Sequence, residues 1–197
     1  MAAEPRQDRG RERRERIVAA GADLLAREGF GVLSHRTVAE RAGVPLGSTT
    51  YYFASLDELR AAAARTLVER WIAHGTRVTR RASPGEYTAD AAARLLARAI
   101  LPAAEPGPLQ AQYELLLASA RQHPDVSAVL REMRPHLLRM VDDVLARTGW
   151  TGHVGGELVL AVVDGAAVGA LSERRPRVRA VAEALLTELL TRAPAGR

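Results

Sequence analysis

The chain of 197 residues contains no cysteine, lysine or asparagine. Without cysteine it cannot form disulfides, use a thiolate nucleophile or bind zinc through sulfur. Its five histidines are scattered, and they fit neither an H-E-x-x-H zinc site nor the carboxylate–histidine spacing of a di-iron bundle. Phosphate loops of the Walker or G-x-G-x-x-G type are absent, as are the strands that a nucleophile elbow requires. The sequence therefore predicts a protein that is not an enzyme and needs no metal or cofactor.

Long hydrophobic runs are also missing. The most apolar stretch, residues 158–171, is too short to cross a bilayer and contains Asp164. The N-terminal stretch MAAEPRQDRGRERRER mixes arginine with acids and lacks the apolar region of a signal peptide. We therefore expect a soluble, cytoplasmic protein with no membrane partner.

Positive charge is not concentrated in a way that would identify a nucleic-acid-binding domain. The net charge is +5, yet residues 1–60 hold ten arginines against nine acids, and residues 61–197 hold eighteen against fourteen. A local cluster near the N-terminus, interleaved with acids, consists of Arg6, Arg9, Arg11, Arg13, Arg14 and Arg16. This cluster is either the solvated start of a helix or an arm that contacts nucleic acid, and both interpretations stay open.

Residues 34–60, SHRTVAERAGVPLGSTTYYFASLDELR, carry a dense series of helix start and stop signals. Ser34 is a good N-cap for a short helix, and Gly43 supplies the left-handed residue that ends it. Pro45 fits the first turn of a second helix, where its missing N–H is no loss. The S-x-x-E box that begins at Ser55 then starts a longer helix. The pattern predicts a helix-turn-helix followed by a long helix.

The second of these helices, LGSTTYY, has an unusual composition for a helix in a protein core. Small residues allow a close approach to DNA, and hydroxyl groups donate to phosphates and base edges. A helix of this kind after a tight turn indicates DNA binding.

The residues that carry this pattern are Ser34 through Ala39, Gly43-Val44, Gly47, Tyr51-Tyr52-Phe53, Ser55 and Leu59. Over about residues 10–70 the chain resembles the DNA-binding domain of the TetR family of transcriptional repressors. The resemblance implies an all-α homodimer that binds a palindromic DNA operator through a helix-turn-helix domain at residues 1–54. It also implies that residues 55–197 form a helical regulatory domain that binds a small-molecule inducer and dimerises.

The predicted DNA contacts lie at the start of the first helix of the motif and along the second. Arg36 can reach the backbone or a guanine, and Tyr51 can contact a phosphate, a sugar or a thymine methyl group. For each candidate the alternative is a packing or solvent-exposed role. The full set is His35, Arg36, Thr37, Leu46, Gly47, Ser48, Thr50, Tyr51 and Tyr52.

Four positions depart from the commonest pattern of the family. Thr50 stands where a tyrosine is usual, and Thr49 where leucine is common. Leu56 replaces a lysine that usually follows the cap of the long helix, so one phosphate contact is missing. Leu46 occupies a position that is often polar.

Helical spacing of apolar residues extends through the rest of the chain, with no convincing strand and no repeat. The first helix is predicted to start after Asp8 and end at Glu28, and the long helix to span Ser55–Arg81. A second S-x-x-E box, Ser83–Glu86, predicts the start of the next helix, and Pro135 predicts a kink or break. The remaining predicted helices are Leu109–Gln122, a helix opened by Pro124, His153–Ser172 and Pro176–Leu190.

The last two predicted helices form the expected dimer interface. Residues 158–171, LVLAVVDGAAVGAL, are apolar nearly all round, and a helix of that kind must be buried on every side. A matching stripe on the final helix consists of Val178, Val181, Ala182, Leu185 and Leu189. A second subunit is the expected cover, and the alternative is a wholly intramolecular core.

The inducer pocket is expected between the helices of the second domain, with a small and largely apolar ligand. The candidate lining residues are Trp71, His74, Tyr113, Leu117, Met133, His136, Leu137 and Met140. His74, His136, Arg94 and Glu114 are possible polar contacts, and each apolar candidate has an ordinary core position as its alternative. A DNA-binding protein without a small-molecule ligand, controlled by a protein partner or acting architecturally, is the second functional hypothesis.

Overall fold

The computed structural model of the protein describes residues 4–101, 109, 113, 117, 122–175 and 177–193. Within these residues the fold is all-α, as predicted, with no strand. The helices are α1 (Glu4–Glu28), α2 (His35–Ala42), α3 (Leu46–Tyr52), α4 (Leu56–Arg81), α5 (Ala89–Ile100), α6 (Pro124–Arg147), α7 (Gly156–Ser172) and α8 (Val178–Arg192), with a 3₁₀ turn at Phe30–Val32. No helix in the described part of the chain is long and apolar enough to cross a membrane. Cytoplasmic localisation stays a prediction.

The first helix begins at Glu4, earlier than the predicted start after Asp8. Pro5 is compatible with a first helical turn, because the N–H that proline lacks would have no hydrogen-bond partner within the helix there. Apolar side chains of α1 are buried together with residues of α2 and with the residue that follows α3. The buried side chains are Ile17, Ala20, Leu24, Leu25, Val38, Ala39 and Phe53. They form a three-helix core, at whose edge Val44 is half-buried.

The prediction that the Ser83–Glu86 box starts a helix is wrong. This segment is irregular, and α5 begins at Ala89 with Thr88 as its cap, whose hydroxyl accepts from the N–H of Ala91 at 3.2 Å. The end of α6 holds the segment in place: the N–H of Gly85 donates to the carbonyl of Arg147, and the N–H of Tyr87 to that of Thr148, both at 3.1 Å. The N–H groups of this segment are therefore bonded to the end of α6 and not to carbonyls within a helix.

Helix α6 runs without a break through Pro135, so a break at this residue, one of the two predicted outcomes, does not occur. Proline removes the hydrogen bond to the carbonyl four residues earlier, at Arg131. Pro135 and Arg131 are both exposed, so water can satisfy that carbonyl.

Of the predicted helix over residues 109–122, Leu109, Tyr113, Leu117 and Gln122 are helical, and the others lie outside the described residues. Pro102, Pro106, Gly107 and Pro108, which favour a break between helices, also lie outside them.

The chain forms two compact units. The first comprises residues 1–68 and 111–132, and the second comprises residues 69–110 and 133–197. In the second unit α5 and α7 both pack on α8, and the buried faces include Leu96, Ile100, Val159, Val163, Ala182, Leu186 and Leu190. The predicted domain boundary between residues 54 and 55 stays a prediction, and the first compact unit continues along α4 to Val68.

The turn between α2 and α3 has the predicted left-handed residue. Gly43 adopts φ 63° and ψ 42°, and the N–H of Val44 donates to the carbonyl of Ala39 at 3.0 Å, which closes the end of α2. Pro45 lies immediately before α3, with extended ψ of 145°, and its carbonyl accepts from the N–H of Ser48 at 2.8 Å. Residues 43–45 therefore join α2 directly to α3, and the two helices pack against each other.

Two glycines near this turn give a matched test of the geometry. A Cβ atom would meet no atom within 4 Å at either Gly43 or Gly47, but only Gly43 has positive φ. Gly43→Ala is expected to lower the free energy of unfolding by about 1 kcal/mol, because an L-residue is strained in the left-handed region. Gly47→Ala is expected to leave it unchanged or raise it by up to about 1 kcal/mol, because alanine favours the helix. Chemical denaturation of both variants measures these effects, and equal losses would contradict the proposed role of the turn.

Candidate nucleic-acid interface

The N-terminus of α2 is closed by a capping box between Ser34 and Thr37. The N–H of Thr37 donates to Ser34 Oγ at 3.1 Å, and the N–H of Ser34 donates to Thr37 Oγ1 at 2.9 Å. Thr37 Oγ1 in turn donates to the carbonyl of Val32 at 2.7 Å. The hydroxyl of Thr37, a predicted DNA contact, is therefore engaged inside the protein. This arrangement fixes the orientation of the first turn of α2, which carries half-buried His35 and exposed Arg36.

Helix α3 is held in the domain by one buried side chain, Thr49. Its hydroxyl donates to the carbonyl of Leu46 at 2.8 Å, so the polar atom is satisfied within the helix. Leucine is common at this position in the pattern that residues 34–60 resemble. Threonine stands there in this chain, and its buried hydroxyl is not left without a hydrogen bond. The remaining residues of this short helix are exposed or half-buried, so they are not needed to fill the domain core.

The exposed face of α3 is formed by four of the predicted DNA contacts. Tyr51 is 81% exposed and Leu46 is 48% exposed. Gly47 and Thr50 are also exposed, and Ser48 is half-buried. Residues four apart on a helix are neighbours, so Leu46 and Thr50 share one row and Gly47 and Tyr51 the next. The structure therefore brings these four together in one contiguous surface.

The two adjacent tyrosines have different surroundings, which their position in the sequence did not reveal. Their rings lie edge to face with centroids 5.0 Å apart. Tyr51 extends into solvent, whereas Tyr52 is half-buried and its hydroxyl lies beside α1, 3.6 Å from the position of a Cβ atom built on Gly10. Tyr52 therefore packs between Tyr51 and α1. Next to it, the guanidinium of Arg14 lies over the buried ring of Phe53, 5.0 Å from its centroid.

The arginine cluster of α1 is partly compensated by its own acids. Arg11 and Glu15 form an exposed ion pair at 3.8 Å. Arginine and glutamate side chains together line a shallow cleft of about 660 Å³, formed by Arg9, Glu12, Arg13, Glu15, Arg16 and Ala19. The mixed lining supports a solvated helix face more than a uniformly basic arm.

The predicted ligand-lining residues have diverse surroundings. Tyr113 and Leu117 belong to the first compact unit, and the other six belong to the second. Met133, Met140 and Tyr113 are buried, Trp71 and Leu137 are half-buried, and Leu117 and His136 are exposed. His74 Nε2 lies 3.0 Å from the carbonyl oxygen of Arg98, and His136 Nδ1 lies 2.9 Å from the guanidinium of Arg139. Of the suggested polar contacts, Arg94 pairs with Asp90, and Glu114 lies outside the described residues.

A cleft of about 450 Å³ lies within the second unit, and Met140 is the member of the predicted set that lines it. The other lining residues are Thr76, Thr79, Arg80, Pro84, Asp143, Ala146 and Arg147. Sequence reasoning missed them because they come from the ends of α4 and α6, where polar residues carry no distinguishing pattern. In the described part of the chain no group of three or more histidines and acids is placed to hold a metal ion.

The outer surface of α7 and α8 is apolar and uncovered within the single chain. Leu158, Val168 and Leu185 are 50%, 40% and 42% exposed. One groove of about 440 Å³ lies between the two helices, and its lining residues are Ala161, Val162, Gly165, Ala166, Leu185, Glu188, Leu189 and Arg192. Of the predicted stripe on α8, Val178 and Ala182 are buried in the chain's own core, whereas Leu185 faces outward.

Comparisons with known proteins agree with this architecture. Residues 17–63 match the family model described as bacterial regulatory proteins, tetR family. Residues 86–192 match the model of the tetracyclin repressor-like C-terminal domain. No curated protein matches the chain.

Solved structures resemble the chain over nearly its whole length. The multidrug binding protein EbrR complexed with imidazole is 32% identical, with 94% of this chain and 97% of that chain covered and a TM-score of 0.67. Other EbrR structures are complexes with proflavin, ethidium and malachite green. A TetR-family member from Streptomyces coelicolor A3 is 33% identical, with 93% and 99% covered and a TM-score of 0.62. A transcriptional regulator from Rhodococcus sp. Rha1 is 27% identical, with 93% and 98% covered and a TM-score of 0.67. The chain therefore belongs to the TetR family of transcriptional regulators, which are non-enzymatic proteins with an N-terminal DNA-binding domain.

Proposed function

We propose that this protein is a homodimeric repressor that binds a palindromic operator through α2 and α3 and is released by a small ligand. The observation that carries the proposal is the disposition of α3, which buries Thr49 and exposes Leu46, Gly47, Thr50 and Tyr51. A helix held by one side chain at the end of a rigid turn suits insertion into a major groove. Family membership supports the same function.

The predicted contacts take different roles in this proposal. Arg36 and Tyr51 are exposed and contact DNA directly, together with Leu46, Gly47, Ser48 and Thr50 from α3 and His35 beside the cap. Thr37 acts through the capping box that orients Arg36, since its hydroxyl is already donated to Val32. Tyr52 supports the ring of Tyr51 from the side of α1.

The proposed dimer forms through the outer surface of α7 and α8. An apolar surface of this extent, with small residues at Ala161 and Gly165, allows close packing of the same helices from a second copy. The charged pair Arg192–Glu188, at 2.8 Å, lies beside the groove and suits the polar rim of such an interface. Exposure of Leu185 favours this arrangement over the alternative of a wholly intramolecular core.

Selection of bound DNA from a random pool tests sequence-specific binding. The wild-type chain is expected to enrich a palindrome, and Arg36→Ala or Tyr51→Ala is expected to weaken binding to it by about tenfold or more, the loss expected for a direct contact. Arg41→Ala is the matched control, because Arg41 carries the same charge at the other end of α2 and pairs with Glu28 at 3.1 Å. It should change affinity much less. Salt-sensitive binding without an enriched sequence would contradict the proposal and favour the architectural alternative.

Release by a ligand rests on a shift between two states of the regulator. A ligand weakens DNA binding only if it binds the released state more tightly than the DNA-bound state. The continuous helix α4, Leu56–Arg81, joins the two compact units along the chain and is the element that can carry such a change. The complexes of EbrR suggest multidrug-like compounds as the first candidates for this chain.

Thermal unfolding without DNA tests the ligand proposal, because proflavin and ethidium also bind DNA. At a concentration a hundredfold above its Kd, a ligand that binds only the native state stabilises it by about 2.7 kcal/mol. Proflavin, ethidium or malachite green is expected to raise Tm by several degrees. Circular dichroism monitors the unfolding. A broad compound panel that leaves Tm unchanged would favour control by a protein partner.

A further inference from the structure

The chemistry of α3 restricts what the helix can read in DNA. Its sequence LGSTTYY contains no arginine, lysine, glutamine, asparagine, glutamate or aspartate. Those side chains supply the usual hydrogen-bonded recognition of guanine, adenine and cytosine in the major groove. In the helix-turn-helix the charged side chains that can contact bases therefore lie on α2, where Arg36 is exposed in the first turn and Arg41, in the last turn, pairs with Glu28.

The hydrogens of the two threonine hydroxyl groups of α3 are also donated within the helix. Thr49 Oγ1 donates to the carbonyl of Leu46 at 2.8 Å, and Thr50 Oγ1 donates to that of Gly47 at 3.3 Å. The hydroxyl of Tyr52 lies beside Gly10 of α1. The threonine oxygens can still accept, but hydrogen-bond donation from the exposed part of α3 to base edges is left mainly to Ser48 and Tyr51.

Apolar groups dominate the face that remains. Leu46 is the first residue of α3 and is 48% exposed, and Tyr51, five residues further along, is 81% exposed. A single exposed leucine is unremarkable on most surfaces. Leu46 differs because the N-terminal residues of a recognition helix contact base edges. The thymine C5-methyl group is the apolar feature that the major groove offers.

We propose that Leu46 and Tyr51 determine operator specificity by packing on thymine methyl groups in each half-site. This inference rests on the proposed function and names what its DNA-binding surface selects. Leu46 and Tyr51 are separated along the helix axis by about 7.5 Å, given the helical rise of about 1.5 Å per residue. The two side chains also lie about 140° apart round the helix, at the two edges of its exposed face, so they contact the methyl groups of two different thymines. Arg36 supplies the hydrogen-bonded contact beside them.

Replacement of thymine by deoxyuridine in the selected operator tests the proposal, because uracil lacks the methyl group and keeps every hydrogen-bonding atom. Each operator carries the replacement at one position of one half-site. Kd is expected to rise about fourfold at two positions, the factor that corresponds to the burial of one methyl group. Fluorescence anisotropy at one fixed salt concentration measures these changes.

Variants assign each methyl group to a side chain. Leu46→Ala is expected to bind more weakly and to lose the uracil effect at one position while it keeps the effect at the other. Tyr51→Phe should retain the uracil effect at the other position, because its ring remains. Tyr51→Ala should lose the effect at that position. Leu56→Ala, at the start of α4 outside the exposed face, is the matched leucine control and should keep both effects. Circular dichroism checks that each variant is folded.

Methylated cytosine gives an independent check. Where thymine is replaced by cytosine, 5-methylcytosine restores the methyl group and is expected to recover part of the lost affinity. Uracil substitutions that leave Kd unchanged at every position would overturn this inference while the palindrome itself still supports the proposed function. If selection yields no palindrome, both the proposed function and this inference are overturned.

Discussion

The surface that α3 presents depends on the turn that joins it to α2. Gly43 takes the left-handed conformation that ends α2, and Pro45 sets the extended backbone from which α3 starts. Thr49 is the buried side chain of α3 and Tyr52 is half-buried against α1, so the turn and these two side chains together set the orientation of the helix. The capping box of Ser34 and Thr37 fixes the other end of α2. The capping box, the turn and Thr49 together fix α3 against the first turn of α2, where Thr49 Oγ1 lies 3.5 Å from the carbonyl oxygen of His35, and every proposed DNA contact depends on that placement.

The distribution of charge makes the second subunit essential to the proposed function. Residues 1–60 have nearly balanced charge, and the arginines of α1 lie among Glu12 and Glu15. Electrostatic attraction of one DNA-binding domain to phosphates is therefore weak, because that attraction grows with the number of phosphates neutralised. Two domains held at a fixed separation gain affinity because the second binds from a high effective concentration. In the proposed function the apolar surface of α7 and α8 is thus as important for DNA binding as α3 itself.

The helix-turn-helix could be predicted because its signals are local in sequence. The features that could not be predicted depend on contacts between residues far apart in the chain. Ser34, Gly43 and Ser55 act through their immediate neighbours, so their roles follow from spacing alone. The box at Ser83–Glu86 has the same spacing, but bonds to the carbonyls of Arg147 and Thr148 hold the segment irregular. Tyr51 and Tyr52 are identical in type and adjacent, and only packing against α1 distinguishes them. The ligand candidates could not be resolved because apolar periodicity identifies buried faces and not the cavity that those faces enclose.

The central claim is that two copies, joined through α7 and α8, bind two half-sites at a fixed separation. Insertion of five base pairs at the centre of the selected operator tests it most directly, because the insertion turns one half-site to the opposite side of the helix. At constant salt, Kd for the wild-type chain is expected to rise on the order of a hundredfold, as the contribution of the second domain is lost. Leu185→Arg places a charge on the exposed apolar surface, so this variant should already bind weakly and be insensitive to the insertion. An unchanged Kd for the wild-type chain on the extended operator would contradict the account.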